Sequence, residues 1–443
     1  MQDIDTLLHA RWIVPVEPDG VVLEHHSLAV HDGRILALLP TDQARADYRA
    51  ATTMELGDHL LIPGLINAHT HAAMSLLRGL ADDLHLMEWL KDHIWPAESR
   101  WVNEEFVHDG SQLAIAEMLR GGTTCFNDMY FFPEVTARAA AACGMRATVG
   151  LIVIDFPTAW ASDADEYIAK GLQVHDQYRN DPLIGTAFAP HAPYTVSDRP
   201  LERLRVLADE LEVPIHMHVH ETAFEVEQAM RDIGVRPLER LHGLGLVSPS
   251  LLAVHMTQLS DSEIERMATA GGRVVHCPES NLKLASGFCP VQRLDAAGIT
   301  VSIGTDGAAS NNDLDMFGEM RTAALLGKAV SGDASALPAH GILRMATLHG
   351  AMALGRGDQI GSLEPGKWAD VVAVRMDELE TQPLYHPVSQ LVYATGRDKV
   401  TDVWVGGRHL LKDRQLTTLD ADEITARARQ WGRHIRSTDE HRN

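Results

Sequence analysis

From Leu61 onward, short apolar runs alternate with longer segments in which apolar residues recur at helical spacing. This alternation is typical of βαβ units and predicts a parallel sheet covered by helices. The candidate strands are residues 65–69, 123–127, 146–154, 184–189, 213–218, 251–255, 273–276 and 300–304. The helical patterns between them include residues 111–120, 199–211, 223–233 and 262–270. Eight such pairs within about 240 residues predict an α/β fold, a closed (β/α)₈ TIM-type barrel.

The two ends of the chain have a different pattern. Strand-like runs separated by turn residues lie at 6–16, 21–30 and 35–39 and again at 371–374, 400–405 and 408–411. We therefore expect a second, small β domain built from residues 1–60 and 366–420, with the barrel in residues 61–365. An amphipathic pattern over 422–435 predicts a helix in the C-terminal segment 421–443, as a packing or oligomer element.

Charge and targeting signals narrow the expected partners and location. The formal charge of −23 comes from 61 acidic and 38 basic residues, and such a surface repels phosphate backbones and anionic lipids. We therefore expect neither nucleic acid nor a membrane as a partner. The N-terminus lacks the pattern of a secretory signal, and four cysteines in so long a chain form no disulfide scaffold. A cytoplasmic protein is expected.

Histidine is the one unusual count, with 24 residues. His69 and His71 end the first predicted barrel strand, and the strand period of two points both side chains the same way. Two imidazoles so placed can reach one metal ion. Their position supports the interpretation that they bind a metal ion, because active sites of such barrels lie where the strands end.

The fifth strand ends in three alternating histidines, followed by Glu221. Their spacing leaves open which one binds a metal, although His216 lies deepest and suits a hydrogen-bonded core role. His255 ends the sixth strand and Asp306 ends the eighth. Histidines and carboxylates at the ends of strands one, five, six and eight together predict a metal site.

Several motifs, in order along the chain, carry a resemblance to a known family. Residues 63–71 (PGLINAHTH), with His218, His255 and Asp306 at their strand ends, resemble the amidohydrolase superfamily over nearly the whole chain. Trp89 and four further motifs resemble the 5′-methylthioadenosine/S-adenosylhomocysteine deaminase family within it. Those motifs are WPAE at 95–98, APHAPY at 189–194, HVHET at 218–222 and HCPESNLKL at 276–284.

The resemblance implies a metal site and a β-sandwich formed by both chain ends. Its H-x-x-E pattern maps onto His218 and Glu221 and leaves His216 and His220 without a role. The implied metal ligands are His69, His71, His218 and Asp306. Relatives with two metals bridge them through a lysine on the fourth strand, but this chain has no lysine in 92–169 or 184–191. We therefore expect one divalent metal ion per chain, with Zn²⁺ the best match to these nitrogen and oxygen donors.

The same resemblance implies a reaction, the deamination of an adenosine-type nucleoside by a metal-activated water. Glu221 is expected to pass a proton to the purine N1, while His255 and Asp306 orient and deprotonate the water. The remaining substrate-binding candidates are Glu98 for the ribose, His191, Trp89 and Ser310. Leu84, Leu86 and Met87 are candidates for an apolar pocket around a methylthio group. We therefore expect 5′-methylthioadenosine to be preferred over S-adenosylhomocysteine, with adenosine also accepted.

The sequence leaves two alternative functions open. The same machinery could act on another amino- or chloro-substituted heterocycle, such as a triazine, guanine or a pterin. A non-catalytic barrel with a structural role would have lost a metal ligand or the glutamate, and this chain has lost neither. A homo-oligomer is also expected.

Overall fold

The computed structural model describes residues 1–439 and contains, in that range, two eight-stranded sheets. One sheet comes from the middle of the chain and the other joins its two ends. In chain order the strands are β1 (Gln2–Ile13), β2 (Leu23–His31), β3 (Arg34–Pro40), β4 (Tyr48–Pro63), β5 (Leu65–Thr70), β6 (Thr123–Tyr130), β7 (Arg146–Val153), β8 (Ile184–Pro190), β9 (Ile215–Val219), β10 (Leu251–His255), β11 (Arg273–His276), β12 (Val301–Ile303), β13 (Val371–Arg375), β14 (Val400–Val405), β15 (Arg408–Lys412) and β16 (Gln415–Leu416).

The middle sheet is a parallel barrel in which β5 to β12 follow one another in chain order. The seam between β12 and β5 is closed by residues just past β12. The amide of Asp306 donates to the carbonyl of His69 at 3.0 Å, and the side chain of Asn67 bonds both the hydroxyl and the amide of Thr305. The predicted (β/α)₈ barrel is therefore confirmed, and every predicted barrel run overlaps one of its strands.

Helices connect and cover the barrel strands. The α-helices are α1 (Thr41–Asp47), α2 (Leu86–Glu88), α3 (Trp95–Trp101), α4 (Glu104–Arg120), α5 (Pro133–Cys143), α6 (Ala164–Tyr178), α7 (Asp198–Leu211), α8 (Ala223–Asp232), α9 (Pro237–Gly243), α10 (Asp261–Ala270), α11 (Pro278–Lys283), α12 (Val291–Ala296), α13 (Ala308–Asn311), α14 (Met316–Ser331), α15 (Ala339–Met345), α16 (Leu348–Ala353), α17 (Pro387–Tyr393) and α18 (Ala421–Asp439). Short 3₁₀ turns lie at Ala72–Leu77, Leu379–Thr381 and Arg397–Lys399, and a π-helical turn lies at Trp89–Ile94.

Helix α4 begins seven residues before the predicted start at Ser111. Asn103 caps it, since its side chain accepts a hydrogen bond from the amide of Phe106. Gly110 interrupts the apolar pattern of this helix, and a Cβ there would lie 2.4 Å from the carbonyl oxygen of Ala73. The glycine therefore lets α4 approach the 3₁₀ turn that follows the first barrel strand.

The sheet of the chain ends has the order β16-β15-β14-β13-β4-β1-β2-β3 and bends back on itself. Its two halves meet where the turn at Gly33 touches the turn at Gly406 and Gly407, so closely that a Cβ on Gly33 would lie 2.6 Å from the carbonyl oxygen of Gly406. Leu28 and Trp404, from opposite halves, belong to the same buried cluster. This is the β-sandwich that was predicted from both chain ends.

The elements of this domain that were missed include α1 and the long strand β4. Strand β4 pairs parallel with β1 and therefore has no hairpin turn to mark it. The predicted strand runs at both chain ends are strands, and the C-terminal helix is present as α18; residues 440–443 of the predicted segment lie outside the described residues. The domain boundaries at 60, 365 and 420 stay a prediction. No helix within residues 1–439 is both long enough and apolar enough to cross a membrane.

Candidate active site

A cavity of about 460 Å³ opens at the carboxyl ends of the barrel strands. Its size falls within the range of small-molecule sites. Every predicted site residue except His69 lines it, and His69 lies fully buried beneath it. The site residues that line the cavity are His71, Trp89, Glu98, His191, His218, Glu221, His255, Asp306 and Ser310.

Three imidazoles and one carboxylate converge at the base of the cavity. Nε2 of His69 lies 3.1 Å from Nε2 of His218. Oδ1 of Asp306 lies 3.3 Å from Nε2 of His69 and 3.2 Å from Nε2 of His71. His71 is oriented from behind, because its Nδ1 lies 2.5 Å from the carbonyl oxygen of Met129 and donates to it.

This arrangement fits a divalent metal ion. His69, His71 and His218 offer nitrogen atoms that all lie within 4.8 Å of one another, and so do the ligand atoms of His69, His255 and Asp306. Nitrogen and carboxylate oxygen donors in such a cluster suit Zn²⁺. The structure therefore contains a histidine-rich candidate metal site.

His216 and His220, which the sequence left without a role, both have partners inside the barrel. Nε2 of His216 lies 2.9 Å from Nδ1 of His69, and its other ring nitrogen contacts the amide of Asn127 at 3.1 Å. His220 accepts a hydrogen bond from the amide of Leu238. His216 thus supports the ring of His69, whereas His220 ties α9 to the end of β9.

Asp306 is surrounded by hydrogen-bond donors. The hydroxyls of Ser280 and Ser310 lie 2.6 and 2.9 Å from its Oδ2, and the amide of Gly307 donates to its Oδ1 at 2.7 Å. Burial opposes its ionisation, but the hydrogen bonds and charges of His69 and His71 hold the pKa of Asp306 well below its ordinary value. Asp306 is therefore a carboxylate at neutral pH.

The surroundings of Glu221, a buried carboxyl group at the end of β9, shift its pKa in the opposite direction. Burial raises the pKa of Glu221, against the lowering effect of His255, whose Nε2 lies 3.9 Å from its Oε2. Its backbone is held on both sides, since the carboxylate of Glu225 accepts from its amide at 2.8 Å and Thr257 donates to its carbonyl oxygen at 2.7 Å. Glu221 is a fixed group suited to carrying a proton.

The segment between β5 and α4 builds one wall of the cavity. It places Trp89 on the π-helical turn and Glu98 on α3. Burial raises the pKa of Glu98 to about 7, although Tyr130 and His71 act in the opposite direction. Across the cavity, burial lowers the pKa of His191 to about 3, so this imidazole is neutral and can accept or donate one hydrogen bond.

The outer wall of the cavity is largely apolar, and no lysine or arginine is among the residues of 1–439 that line it. Leu86 lines the cavity as predicted for an apolar pocket, but Leu84 and Met87 do not. Met87 lines a small neighbouring cavity instead. The apolar lining residues that the sequence did not indicate include Trp95, Phe131, Ile152, Ile154, Phe156, Pro157, Ala159 and Leu284.

Sequence reasoning also missed the groups that hold the site residues in place. Ser280 bonds Asp306, and Oδ1 of Asn281 lies 2.8 Å from Nδ1 of His255. Both lie in the HCPESNLKL motif, which carried a family resemblance but no assigned role. Their position directly after the seventh barrel strand was the signal that could have identified them.

Known proteins resemble this chain over nearly its whole length. Residues 60–410 match the model of the amidohydrolase family. A 5-methylthioadenosine/S-adenosylhomocysteine deaminase of Teredinibacter turnerae is 54% identical over 97% of both chains, and one of Saccharophagus degradans is 52% identical over 96% of both.

Solved structures have the same fold. The crystal structure of an adenosine deaminase from Xanthomonas campestris, with bound zinc, is 58% identical and superposes with a TM-score of 0.98 over 98% of this chain and 99% of that one. An atrazine chlorohydrolase from Arthrobacter aurescens complexed with zinc has a TM-score of 0.89 over 96% of this chain and 99% of its own at 23% identity, which shows the fold alone.

Proposed function

The chain belongs to the amidohydrolase family, and on that premise we propose that it is a metal-dependent hydrolytic deaminase of 5′-methylthioadenosine, S-adenosylhomocysteine and adenosine. Each substrate would give its inosine analogue and ammonia. The observation that carries the proposal is the pairing, in one cavity, of the His–Asp cluster with the buried Glu221, whose pKa is raised by burial. Deaminase relatives at up to 58% identity over nearly the full chain support it.

We propose that the site holds one Zn²⁺ ion, with His69, His71, His218 and Asp306 as its ligands. The convergence of their nitrogen and oxygen atoms supports this set. The ion would lower the pKa of a bound water molecule toward about 7 and so supply a nucleophile. The absence of lysine from β8 supports a single ion, because the bridging lysine of two-metal relatives is missing.

The residues of this chain would then carry protons between the water and the substrate. Glu221 gives a proton to N1 of the purine, which makes C6 electrophilic. His255 and Asp306 orient the attacking water and accept its proton. The amino nitrogen of the tetrahedral adduct at C6 then receives the proton taken from the water, ammonia leaves, and the proton of the C6 hydroxyl returns to Glu221. The net reaction consumes one water and releases one ammonia.

The groups outside the metal cluster would select the nucleoside. Glu98 would accept hydrogen bonds from the ribose hydroxyls, and His191, Trp89 and Ser310 would contact the rest of the substrate. The apolar outer wall suits a methylthio group. The carboxylate of S-adenosylhomocysteine would meet no cation there among the described lining residues, so we propose that 5′-methylthioadenosine is the better substrate.

A substrate panel tests this proposal. We expect kcat/KM to decrease from 5′-methylthioadenosine to S-adenosylhomocysteine, with adenosine turned over and adenine and a chlorotriazine turned over poorly. The absorbance change from adenine to hypoxanthine chromophore and the release of ammonia measure the reaction. A clear preference for the triazine or the free base would overturn the nucleoside assignment, and a preference for S-adenosylhomocysteine would overturn the specificity.

The same preparations test the metal and the proton carrier. Elemental analysis should give close to one zinc per chain, and a stable value near two would contradict the single-ion site.

Glu221→Gln should keep the metal and the fold while turnover decreases by about 10²–10⁴-fold, the usual contribution of a general acid–base group. The homo-oligomer and the cytoplasmic location stay predictions.

A further inference from the structure

Helix α11 follows the seventh barrel strand, which contributes none of the predicted site residues. Two consecutive residues of this short helix, Ser280 and Asn281, are 0% and 1% exposed. Neither side chain is needed for the backbone bonds of the helix, which run from Asn281 to Cys277 and from Leu284 to Ser280. Their side chains are therefore free to act on the site beside them.

Ser280 acts on the carboxylate that faces the metal ligands. Its hydroxyl lies 2.6 Å from Oδ2 of Asp306, and an ionised carboxylate only accepts hydrogen bonds, so Ser280 must be the donor. Ser310 donates to the same oxygen from the other side, at 2.9 Å. These two bonds hold Oδ2 and leave Oδ1 directed at His69 and His71.

Asn281 acts on the imidazole that faces the substrate. Its Oδ1 lies 2.8 Å from Nδ1 of His255, and an amide oxygen can only accept a hydrogen bond, so Nδ1 is the donor. Nδ1 of His255 therefore carries the hydrogen, and the lone pair lies on Nε2. That nitrogen faces the cavity, 3.9 Å from Glu221.

We propose that α11 is a positioning element for the reaction, in which Ser280 fixes the rotation of Asp306 and Asn281 fixes the tautomer and orientation of His255. Both target groups belong to the water-activating half of the proposed mechanism, so the inference rests on the proposed function. One turn of helix thus positions two groups that come from the sixth and eighth strands. Side chains that hold metal ligands in place by hydrogen bonds change metal affinity or activity by about 10–100-fold when they are removed.

Asn281 is tested by two substitutions of similar volume. Asn281→Leu removes the acceptor, whereas Asn281→Asp keeps an oxygen that can accept from Nδ1 of His255. We expect kcat for 5′-methylthioadenosine to decrease by about 10–100-fold in Asn281→Leu, with KM changed by less than about threefold. In Asn281→Asp, we expect kcat to be at least about tenfold higher than in Asn281→Leu. Zinc content should stay at the wild-type value in both. Equal turnover in the two variants, whether high or low, would overturn the role of Asn281.

Ser280 is tested beside a matched serine of the same segment. Ser286 is also buried, but its hydroxyl has no hydrogen-bond partner among the described residues, so Ser286→Ala removes an unused group. We expect Ser280→Ala to lower kcat and to weaken zinc binding in a chelator competition, each by about tenfold or more, while Ser286→Ala stays at the wild-type values. Matching behaviour of the two alanine variants would overturn the role of Ser280.

These measurements separate the inference from the function it rests on. Wild-type protein that binds zinc but deaminates none of the nucleosides would overturn the proposed function. Active wild-type protein whose Asn281→Leu and Ser280→Ala variants keep full turnover would overturn the positioning role alone. Thermal unfolding of each variant shows whether the fold is intact, and Ser280→Ala, which removes only one oxygen atom, remains informative if Asn281→Leu does not fold.

Discussion

Three carboxyl groups in the cavity differ in the surroundings that set their protonation. Asp306 faces histidines and hydrogen-bond donors, which hold its pKa far below the ordinary value. Glu221 is buried and Glu98 is half-buried, both have fewer favourable partners, and burial raises the pKa of both. Separating the pKa values of neighbouring acids in this way gives one group the role of a permanent carboxylate and another that of a proton carrier.

Glu98 gives a prediction for pH dependence. Its pKa of about 7 means that the protonated form predominates below that pH, whereas ribose hydroxyls donate to the ionised form. Substrate binding therefore has to release a proton at low pH, and KM for 5′-methylthioadenosine should rise as pH falls below about 7, approaching tenfold per pH unit. A KM–pH profile between pH 5.5 and 8.5, both limits being about 1.5 units from that pKa, measures it.

Glu98→Gln is the matched variant for this profile. It should have a higher KM that no longer depends on pH in this range, because the amide does not titrate. Adenine lacks the ribose, so any residual turnover of the free base should lack the effect as well. An unchanged KM–pH profile in Glu98→Gln would assign the titration to another group.

At the scale of elements, the wall that carries Trp89 and Glu98 is supported from outside by the last helix. The indole of Trp431 on α18 packs against Phe106 and Trp101, with ring centroids 5.3 and 6.4 Å apart. Its Nε1 donates to Asp109 of α4 at 3.0 Å. Helix α18 therefore packs on the barrel beside the cavity wall, which is the packing role expected for an amphipathic C-terminal helix.

At the scale of the whole molecule, one buried ion pair joins the barrel to the sandwich. Arg146 at the start of β7 bonds both carboxylate oxygens of Asp370, at 2.7 and 3.1 Å, just before β13. The two side chains are 1% and 2% exposed. A buried pair of this kind gives little net stability, but removing one partner leaves an uncompensated charge in the interior.

Asp370→Ala should therefore lower the free energy of unfolding by about 3–5 kcal/mol, measured by urea denaturation. Asp3→Ala is the control, because it removes an Arg49 pair whose side chains are 73% and 70% exposed and should lower the free energy of unfolding far less. Equal losses in the two variants would show that the domain junction tolerates the unpaired arginine.

The barrel was predictable from the sequence because its strands are buried on both faces and form short, apolar-rich runs between helical patterns. The same regularity located His69, His71, His218, His255 and Asp306 at strand ends, where a barrel places its chemistry. Strand β4 was not predictable, since its partner β1 is distant in sequence and no turn joins them.

Only the tertiary structure decided which groups hold the site in place. Ser280 and Asn281 reach Asp306 and His255 across 26 residues each, and His216 reaches His69 across 147. Local pattern carries no information about such distances, because barrel closure sets them through the pairing of all the strands. The apolar residues opposite the histidine–aspartate cluster came together for the same reason. The sequence alone thus determined which residue types stand at the strand ends, and the packing of the closed barrel determined their orientation, burial and pKa.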